Sequence, residues 1–292
     1  MYYYFEESDS LDSPAECFYY NADKNNFPVR PHWHYFMEII YLVEGCAEMN
    51  AGNDRFILSE GDMIVFHPKA VHSIYATNGE PLRYAVLKFD INRLNMTPEY
   101  SPTFRSIFRS AEKKCMNIFF EADSSAASEA EEIFRRCISE TNSYSYGCDM
   151  VIRAEISRLL IGIIRCWQKQ GFSVDSNAYA DDMRYDIYSI TEYIDKHMSD
   201  GIQVTDIARE CGMSYSYFAK KFLEVYGKTC KEYIESVRIM KAEEFLLYTD
   251  FDLSYISQET GFSDCSHMIK SFRRYKGITP KQFRMQHKKS ET

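Results

Sequence analysis

The sequence predicts an α+β protein of two domains, an N-terminal antiparallel β-barrel with a helical hairpin and a C-terminal all-α domain. Three observations lead to this prediction. Short β-rich runs separated by turn residues fill residues 17–90, apolar residues recur at helical spacing after residue 130, and a helix-turn-helix pattern occurs twice after residue 202. A chain of 292 residues is long enough to form two hydrophobic cores.

Six strand candidates follow one another in the first part of the chain. Most of them are rich in β-branched and aromatic residues, and Gly, Pro or Asn residues separate each from the next. Strands this frequent, joined by tight turns, are typical of a small antiparallel barrel or sandwich. The candidates are residues 38–43, 47–49, 55–58, 62–66, 72–75 and 84–89.

Four polar residues in this region form a candidate site: His32, His34, Glu38 and, on a later strand, His72. Side chains two positions apart on an extended strand share a face, so we expect the first three to project to one side. Three imidazoles and one carboxylate suit Zn, Fe, Mn or Ni. The same groups also suit hydrogen bonding to an organic ligand or packing in the barrel, and the residues alone leave these uses open.

Aromatic residues surround this cluster, among them Trp33, Tyr35, Phe36 and Tyr41. An aromatic face with a few polar groups is a common way to bind a sugar ring. Ordinary core packing is the alternative for each of them.

Helical patterns follow the strands. A weak pattern covers residues 98–119, and clear ones cover residues 133–138 and 152–164, the last apolar around much of its circumference. The last helix is therefore predicted to pack on more than the barrel. The polar, aperiodic stretch 171–182 is interpreted as a linker, which gives domains at 1–170 and 183–292.

The C-terminal domain opens with the first helix-turn-helix copy. Thr205 is an N-cap candidate for the first helix, and Gly212 suits the positive φ of the turn. Ser214 is predicted to cap the second helix, in which Phe218 and Phe222 form a buried stripe. The other faces of this second helix remain available to a ligand, and the DNA major groove admits one α-helix.

The same pattern recurs 49 to 50 residues later. Gly261 matches the first turn, and one extra residue in the second turn makes Asp264 rather than Ser263 the expected cap. A Gly-x-Thr-x-Lys-x-aromatic sequence follows both copies, starting at Gly227 and Gly277. A packed helical hairpin of no further function is the alternative for one copy. Two copies with the same trailing sequence favour a functional repeat.

These residues resemble the DNA-binding domain of AraC-type transcription regulators over about the last hundred positions. The matching motifs are Gly212-Met-Ser-x-x-Tyr-Phe218, Arg238-x-x-x-Ala242-x-x-x-Leu246-Leu247, Gly261-Phe262-Ser-Asp264 and Gly277-Ile-Thr-Pro280-x-x-Phe283-Arg284. The resemblance implies that double-stranded DNA is a partner and that the two recognition helices each supply four base contacts. These residues are Tyr215, Ser216, Ala219 and Lys220, and Cys265, Ser266, Ile269 and Lys270.

The spacing His32-x-His34-x-x-x-Glu38 resembles the first cupin motif, and the position of His72 resembles the AraC-type sensor version of the second. This implies a cupin-like domain that binds a small-molecule effector, which we expect to be a sugar. The effector-binding residues would be His32, Trp33, His34, Glu38, Tyr41 and His72. The alternative is a metal-dependent cupin enzyme, or a metal sensor fused to a DNA-binding domain. In that case His32, His34, Glu38 and His72 would hold a divalent metal as the cofactor.

The resemblance also implies a homodimer formed through the helical hairpin, RNA polymerase as a partner, and no enzymatic activity. Together with the expected sugar effector, it suggests an activator of a catabolic operon. The nine cysteines contain no Cys-x-x-Cys pair, the N-terminus lacks a basic signal, and no apolar run is long enough to span a bilayer. These features predict a cytoplasmic protein without a membrane role.

Taken over the whole chain, the net charge of −9 argues against a nucleic-acid partner. Residues 1–182, however, hold 17 Lys and Arg against 27 Asp and Glu, whereas residues 183–292 hold 17 against 16. The acidity therefore lies in the first part. Local clustering of cations near the second recognition helix and the tail favours DNA binding. The clustered residues are Lys270, Arg273, Arg274, Lys276, Lys281, Arg284, Lys288 and Lys289.

Overall fold

The computed structural model describes residues 4–5, 15–22, 27–77, 81–94, 102–143, 145–174, 187, 190–197 and 201–288. Internal contacts divide the chain into two compact units, Met1–Met183 and Arg184–Thr292. No helix in the described part of the chain is both long and apolar enough to cross a membrane.

The first unit contains two five-stranded sheets. In chain order the strands are β1 (Tyr4–Phe5), β2 (Ala15–Asn21), β3 (Val29–Trp33), β4 (Met37–Glu44), β5 (Cys46–Ala51), β6 (Asp54–Ser59), β7 (Met63–Phe66), β8 (His72–Ala76), β9 (Arg83–Phe89) and β10 (Phe119–Phe120). One sheet has the order β1-β3-β8-β5-β6 and the other β10-β7-β4-β9-β2. Every pairing is antiparallel except that of β1 with β3. The six predicted strands are confirmed to within two residues at each end.

The two faces of β4 belong to different cores. Ile40 and Leu42 point between the two sheets, where they pack with apolar side chains of both. Their neighbours Ile39 and Tyr41 point the other way, into a core shared with the helices of this unit. This follows from the alternation of side chains along a strand, and it makes β4 apolar on both faces.

Three helices cover the outer face of the second sheet: α1 (Phe104–Lys113), α2 (Ala130–Ser143) and α3 (Cys148–Lys169). Trp167, at the end of α3, is fully buried and donates a hydrogen bond from Nε1 to the carbonyl of Asn117 at 2.7 Å. Phe172 also belongs to this core, with its ring centroid 5.8 Å from that of Trp167. The predicted linker therefore starts too early at residue 171, and residues 175–182 of it lie outside the described residues.

In the described residues of the second unit, all regular secondary structure is helical. Its helices are α4 (Ile190–His197), α5 (Val204–Glu210), α6 (Tyr215–Tyr226), α7 (Cys230–Tyr248), α8 (Leu253–Glu259), α9 (Cys265–Lys276) and α10 (Pro280–Lys288). The helix-turn-helix pairs are α5 with α6 and α8 with α9. The connecting helix α7 has 19 residues and contacts both pairs, so it forms a spacer of roughly 28 Å.

The capping residues decide where these helices begin. Ser214 caps α6 and Asp264 caps α9, each accepting a hydrogen bond from a backbone N–H of the first turn, as predicted. The prediction for α5 was wrong. The N-cap of α5 is Gln203, whose carbonyl accepts the first helical hydrogen bonds, and Thr205 already lies inside the helix.

Candidate nucleic-acid interface and sensor site

Helix α6 has one buried face and one exposed face. Phe218 and Phe222 are fully buried, and Phe222 stacks near Tyr226 and Tyr233. Of the four predicted base-contact residues, Tyr215, Ser216 and Lys220 are exposed and Ala219 is half-buried. The helix therefore presents these four side chains away from the core that holds it in place.

Helix α9 repeats this arrangement. Met268 and Phe272 are fully buried, and the Phe272 ring packs edge-on against Phe283. Ser266 and Lys270 are exposed, whereas the half-buried Cys265 and Ile269 also pack against the edge of the core.

One further exposed residue on each helix lies outside the predicted set of base contacts. Leu223 is 48% exposed and lies one turn after Ala219, so it continues the exposed stripe of α6 toward the C-terminus of the helix. Arg273 is exposed at the equivalent position of α9, one turn after Ile269. The signal was the i, i+4 spacing, which extends each predicted stripe by one turn.

The predicted cluster of cations separates into two groups. Arg274 contacts Glu235 of α7, Lys276 contacts Glu243 of the same helix, and Arg284 donates to a backbone carbonyl. These three cations connect helices within the unit. Lys270, Arg273 and Lys281 are exposed, and Lys289 and the Lys288 side chain lie outside the described residues. The cationic surface available to DNA is therefore smaller than the sequence suggested, and it is centred on α9.

The polar cluster of the first unit forms where two sheets meet. His32 is the penultimate residue of β3, His34 lies in the turn that follows, Glu38 is near the start of β4, and His72 begins β8. One ligand atom from each residue lies within 4.8 Å of those of the other three. The three residues do not lie on one extended strand, as the argument from their spacing assumed, because the chain leaves the first sheet after Trp33 and enters the second at Met37. The four side chains converge all the same.

Hydrogen bonds orient all three imidazoles in the same way. In each ring Nδ1 donates to the backbone carbonyl of a residue two positions away, at 2.9 to 3.0 Å. The acceptors are Arg30 for His32, Phe36 for His34 and Ala70 for His72. The Nε2 atoms of His34 and His72 approach Glu38 Oε2 at 2.7 and 3.4 Å.

Glu38 is the electrostatic centre of the cluster. Burial opposes its ionisation, but the hydrogen bond from His34, the neighbouring His72 imidazole and the positive charge of Lys88 outweigh it and hold the pKa of the Glu38 carboxyl well below its usual range. Lys88 was missed in the sequence. It is 4% exposed, its Nζ lies 3.9 Å from Glu38 Oε2, and it is the register partner of Glu38 across β4 and β9. Only the strand register brings the two residues together.

Tyr41 is not part of this cluster. Its side chain points to the opposite face of β4 from Glu38, and its ring stacks on Phe134 of α2 with centroids 5.9 Å apart. The prediction that Tyr41 contacts a ligand together with Glu38 is therefore corrected. Trp33 is half-buried, and its ring packs edge-on against that of Tyr35 at 5.2 Å.

Two family descriptions match the chain in the regions just described. An AraC-like ligand binding domain matches residues 14–171, which is more than half of the chain, and a helix-turn-helix domain matches residues 207–286. The chain belongs to the AraC-type family of transcription regulators. It is thus a DNA-binding regulator with a ligand-binding domain, as the resemblance implied.

Curated relatives match about a third of this AraC-type chain. The regulatory protein PocR of Salmonella typhimurium is 33% identical over 94 residues, which are 32% of this chain and 31% of that protein. The transcriptional regulator ExsA of Pseudomonas aeruginosa is 35% identical over 92 residues, which are 32% of this chain and 33% of that protein. The chain therefore spans about a third of the length of these relatives.

Solved structures resemble the chain more distantly. An apo form of ToxT from Vibrio cholerae is 14% identical, covers 96% of this chain and 99% of its own, and has a TM-score of 0.42. The DNA-binding domain of AdpA in complex with a target DNA is 20% identical, covers 36% of this chain and 96% of its own, and has a TM-score of 0.35.

Proposed function

We propose that this regulator binds a specific double-stranded DNA site through α6 and α9, and that a small-molecule effector bound by its first unit controls this binding. The observation that carries the proposal is the pair of exposed stripes on two helices whose opposite faces are fixed by the cores. A helix with a rigid buried face and a mixed polar and apolar exposed face suits the major groove. We place the protein in the cytoplasm, where chromosomal DNA is accessible.

The test of DNA recognition is a pair of lysine variants. An operator is selected from random duplexes with the full chain, and binding is measured by fluorescence anisotropy on that operator and on a scrambled duplex. Lys270→Ala should weaken operator binding by about 1–3 kcal/mol, and by less on the scrambled duplex. Lys113→Ala, which removes an exposed lysine of α1 in the other unit, is the control and should leave both affinities unchanged. Equal loss on both duplexes would contradict base recognition by Lys270.

For the effector we propose a sugar, and for the regulated genes a catabolic operon that the protein activates. The partly exposed rings of Trp33 and Tyr35, which flank His34 in the sequence and pack on each other, support a sugar, because sugar rings stack on aromatic faces. A sugar that binds only the folded state should raise the melting temperature, and Trp33→Leu should reduce that shift. In vitro transcription from the selected operator with RNA polymerase should then rise when the sugar is added. A drop in transcription would make the protein a repressor.

We also propose a homodimer formed through α3. Met150 and Ile161 are apolar residues of α3 whose exposed fractions are 67% and 38%. They are eleven positions apart, which is about three helical turns, so they lie on one face of the helix. Ile161→Glu should convert the dimer to a monomer in light scattering. A wild-type monomer at micromolar concentration would contradict this proposal.

A further inference from the structure

The polar cluster of the first unit is built from the donors that transition metals prefer. We propose that His32, His34, Glu38 and His72 bind one divalent transition-metal ion. The proposal concerns the residues offered above to an effector, and it rests on the proposed function only where DNA binding is used as a readout. The donor set of three imidazoles and one carboxylate favours ions such as Zn²⁺, Ni²⁺, Co²⁺ or Fe²⁺ over Mg²⁺ and Ca²⁺, which prefer oxygen ligands.

The spacing of the four donors suits a single ion. Their ligand atoms lie within 4.8 Å of one another. A tetrahedral ion with bonds of about 2.1 Å separates its ligand atoms by about 3.4 Å. The space between the four side chains is therefore already close to the size of a bound ion, and small rotations of the side chains are enough to complete it.

The orientation of the imidazoles is the second argument. A histidine that binds metal through Nε2 usually donates its Nδ1–H to a carbonyl or carboxylate, which fixes the ring and its tautomer. All three rings make this Nδ1 bond to the backbone. Packing in a core does not require the Nε2 atoms of three histidines to converge on one carboxylate.

The unsatisfied nitrogen of His72 is the third argument. The ring is 1% exposed and stacks on Phe66 with centroids 4.3 Å apart, yet its Nε2 has no hydrogen-bond partner. A buried polar atom without a partner is uncommon and points to an absent ligand or water. This nitrogen faces Glu38 Oε2 at 3.4 Å, on the side where the other donors lie.

Lys88 opposes cation binding and gives the proposal a directional test. Its Nζ lies 3.9 Å from the Glu38 carboxylate, so a positive charge already stands beside the proposed ion in a buried environment. Like charges at this range repel strongly where water is excluded. Removal of this charge by Lys88→Met should therefore tighten metal binding, an outcome that a purely structural role of the cluster does not produce.

The experiment uses the full chain after removal of metals with a chelator. Isothermal titration with Zn²⁺ should show one equivalent bound and Mg²⁺ should show none, and the melting temperature should rise with Zn²⁺ alone. His72→Phe keeps a ring against Phe66 and should weaken Zn²⁺ affinity at least a hundredfold, whereas Lys88→Met should strengthen it at least tenfold. The matched control is His67→Phe, because His67 is a buried histidine outside the cluster and its loss should not change the affinity.

Wild-type-like Zn²⁺ affinity in His72→Phe, or less than half an equivalent bound by the wild type, would overturn the proposal. His32→Phe alters a half-buried donor and serves as the second variant if His72→Phe does not fold. Operator binding is measured on the same samples. A chain that binds Zn²⁺ but no operator contradicts the proposed DNA recognition and leaves the metal site standing, and the reverse result contradicts the metal site alone.

Discussion

The two helix-turn-helix units share one framework and differ on the surface they expose. Phe218 and Phe222 of the first correspond to Met268 and Phe272 of the second, and all four are fully buried. The exposed stripes are less alike. Helix α6 carries Leu223 where α9 carries Arg273, at a position one turn beyond the predicted contacts.

This difference separates the requirements of folding from those of recognition. Apolar side chains recur at the same spacing because both helices must pack against α7. The exposed positions are free of that requirement, and the units have diverged there. We infer that α6 depends more on apolar contact with base methyl groups and α9 more on charge.

The largest expected effect on either helix-turn-helix unit is the loss of stability when a core ring is removed. Phe222→Ala and Phe272→Ala should each lower the free energy of unfolding by about 3–5 kcal/mol, since both rings are fully buried. Urea unfolding of the full chain, followed by far-UV circular dichroism, measures both. A loss below about 1 kcal/mol in one variant alone would show that the two cores are not equivalent.

The second prediction concerns charge on α9. Arg273→Ala should weaken operator binding by about 1–3 kcal/mol and reduce the slope of log affinity against log salt by about 1. Arg274→Ala is the neighbouring control, because Arg274 contacts Glu235 within the unit and should affect DNA binding much less. Equal losses in the two variants would refute the separation of the cations into two groups.

A smaller effect should follow from Leu223 on α6. Leu223→Ala should cost about 1 kcal/mol of operator affinity through lost apolar contact, with an unchanged salt slope. Leu223→Met, of similar volume, should keep most of the affinity. In the part of the operator that α6 contacts, each thymine can be replaced by uracil, which lacks the methyl group. This replacement should remove the difference in affinity between the wild type and Leu223→Ala. A difference that persists would argue against contacts with thymine methyl groups.

The smallest expected effect is a difference in the pH dependence of stability between the caps of α9 and α6. Hydrogen bonds from the His267 backbone and the Ser263 hydroxyl hold the pKa of Asp264 below its ordinary 3.8. The folded pKa is below the unfolded one, so the stabilisation by this cap is present above the unfolded value and is lost as pH falls through the folded pKa. Melting temperatures between about pH 6 and about pH 3 should therefore fall less in Asp264→Ser than in wild type. Ser214→Ala, at the uncharged cap of α6, should lower stability by about 1 kcal/mol at every pH.

The sequence was sufficient for features that depend on local spacing. The six strands, the two helix-turn-helix units and the cap at Asp264 all follow from residues within a few positions of one another. The N-cap prediction for α5 was wrong because it relied on residue type. Thr205 is a good capping residue, but the N-cap position is occupied by Gln203.

Features that depend on register were not accessible in the same way. Lys88 meets Glu38 only through the pairing of β9 with β4, which no local pattern reveals. The assignment of Tyr41 to the site ignored strand alternation, since three positions separate it from Glu38 and place it on the other face. The convergence of the four donors was predicted, but the break between β3 and β4 was not.

The strand β4 has a consequence for how an event at the cluster reaches the rest of its unit. Glu38 faces the proposed ligand, and Tyr41, three residues later and on the opposite face of the strand, stacks on Phe134 of α2. Because both faces of β4 are closely packed, a displacement of Glu38 that moved the strand would also change the packing of Tyr41 on α2. Ligand binding on the Glu38 face of β4 and the position of α2 on the Tyr41 face would then be coupled through the strand.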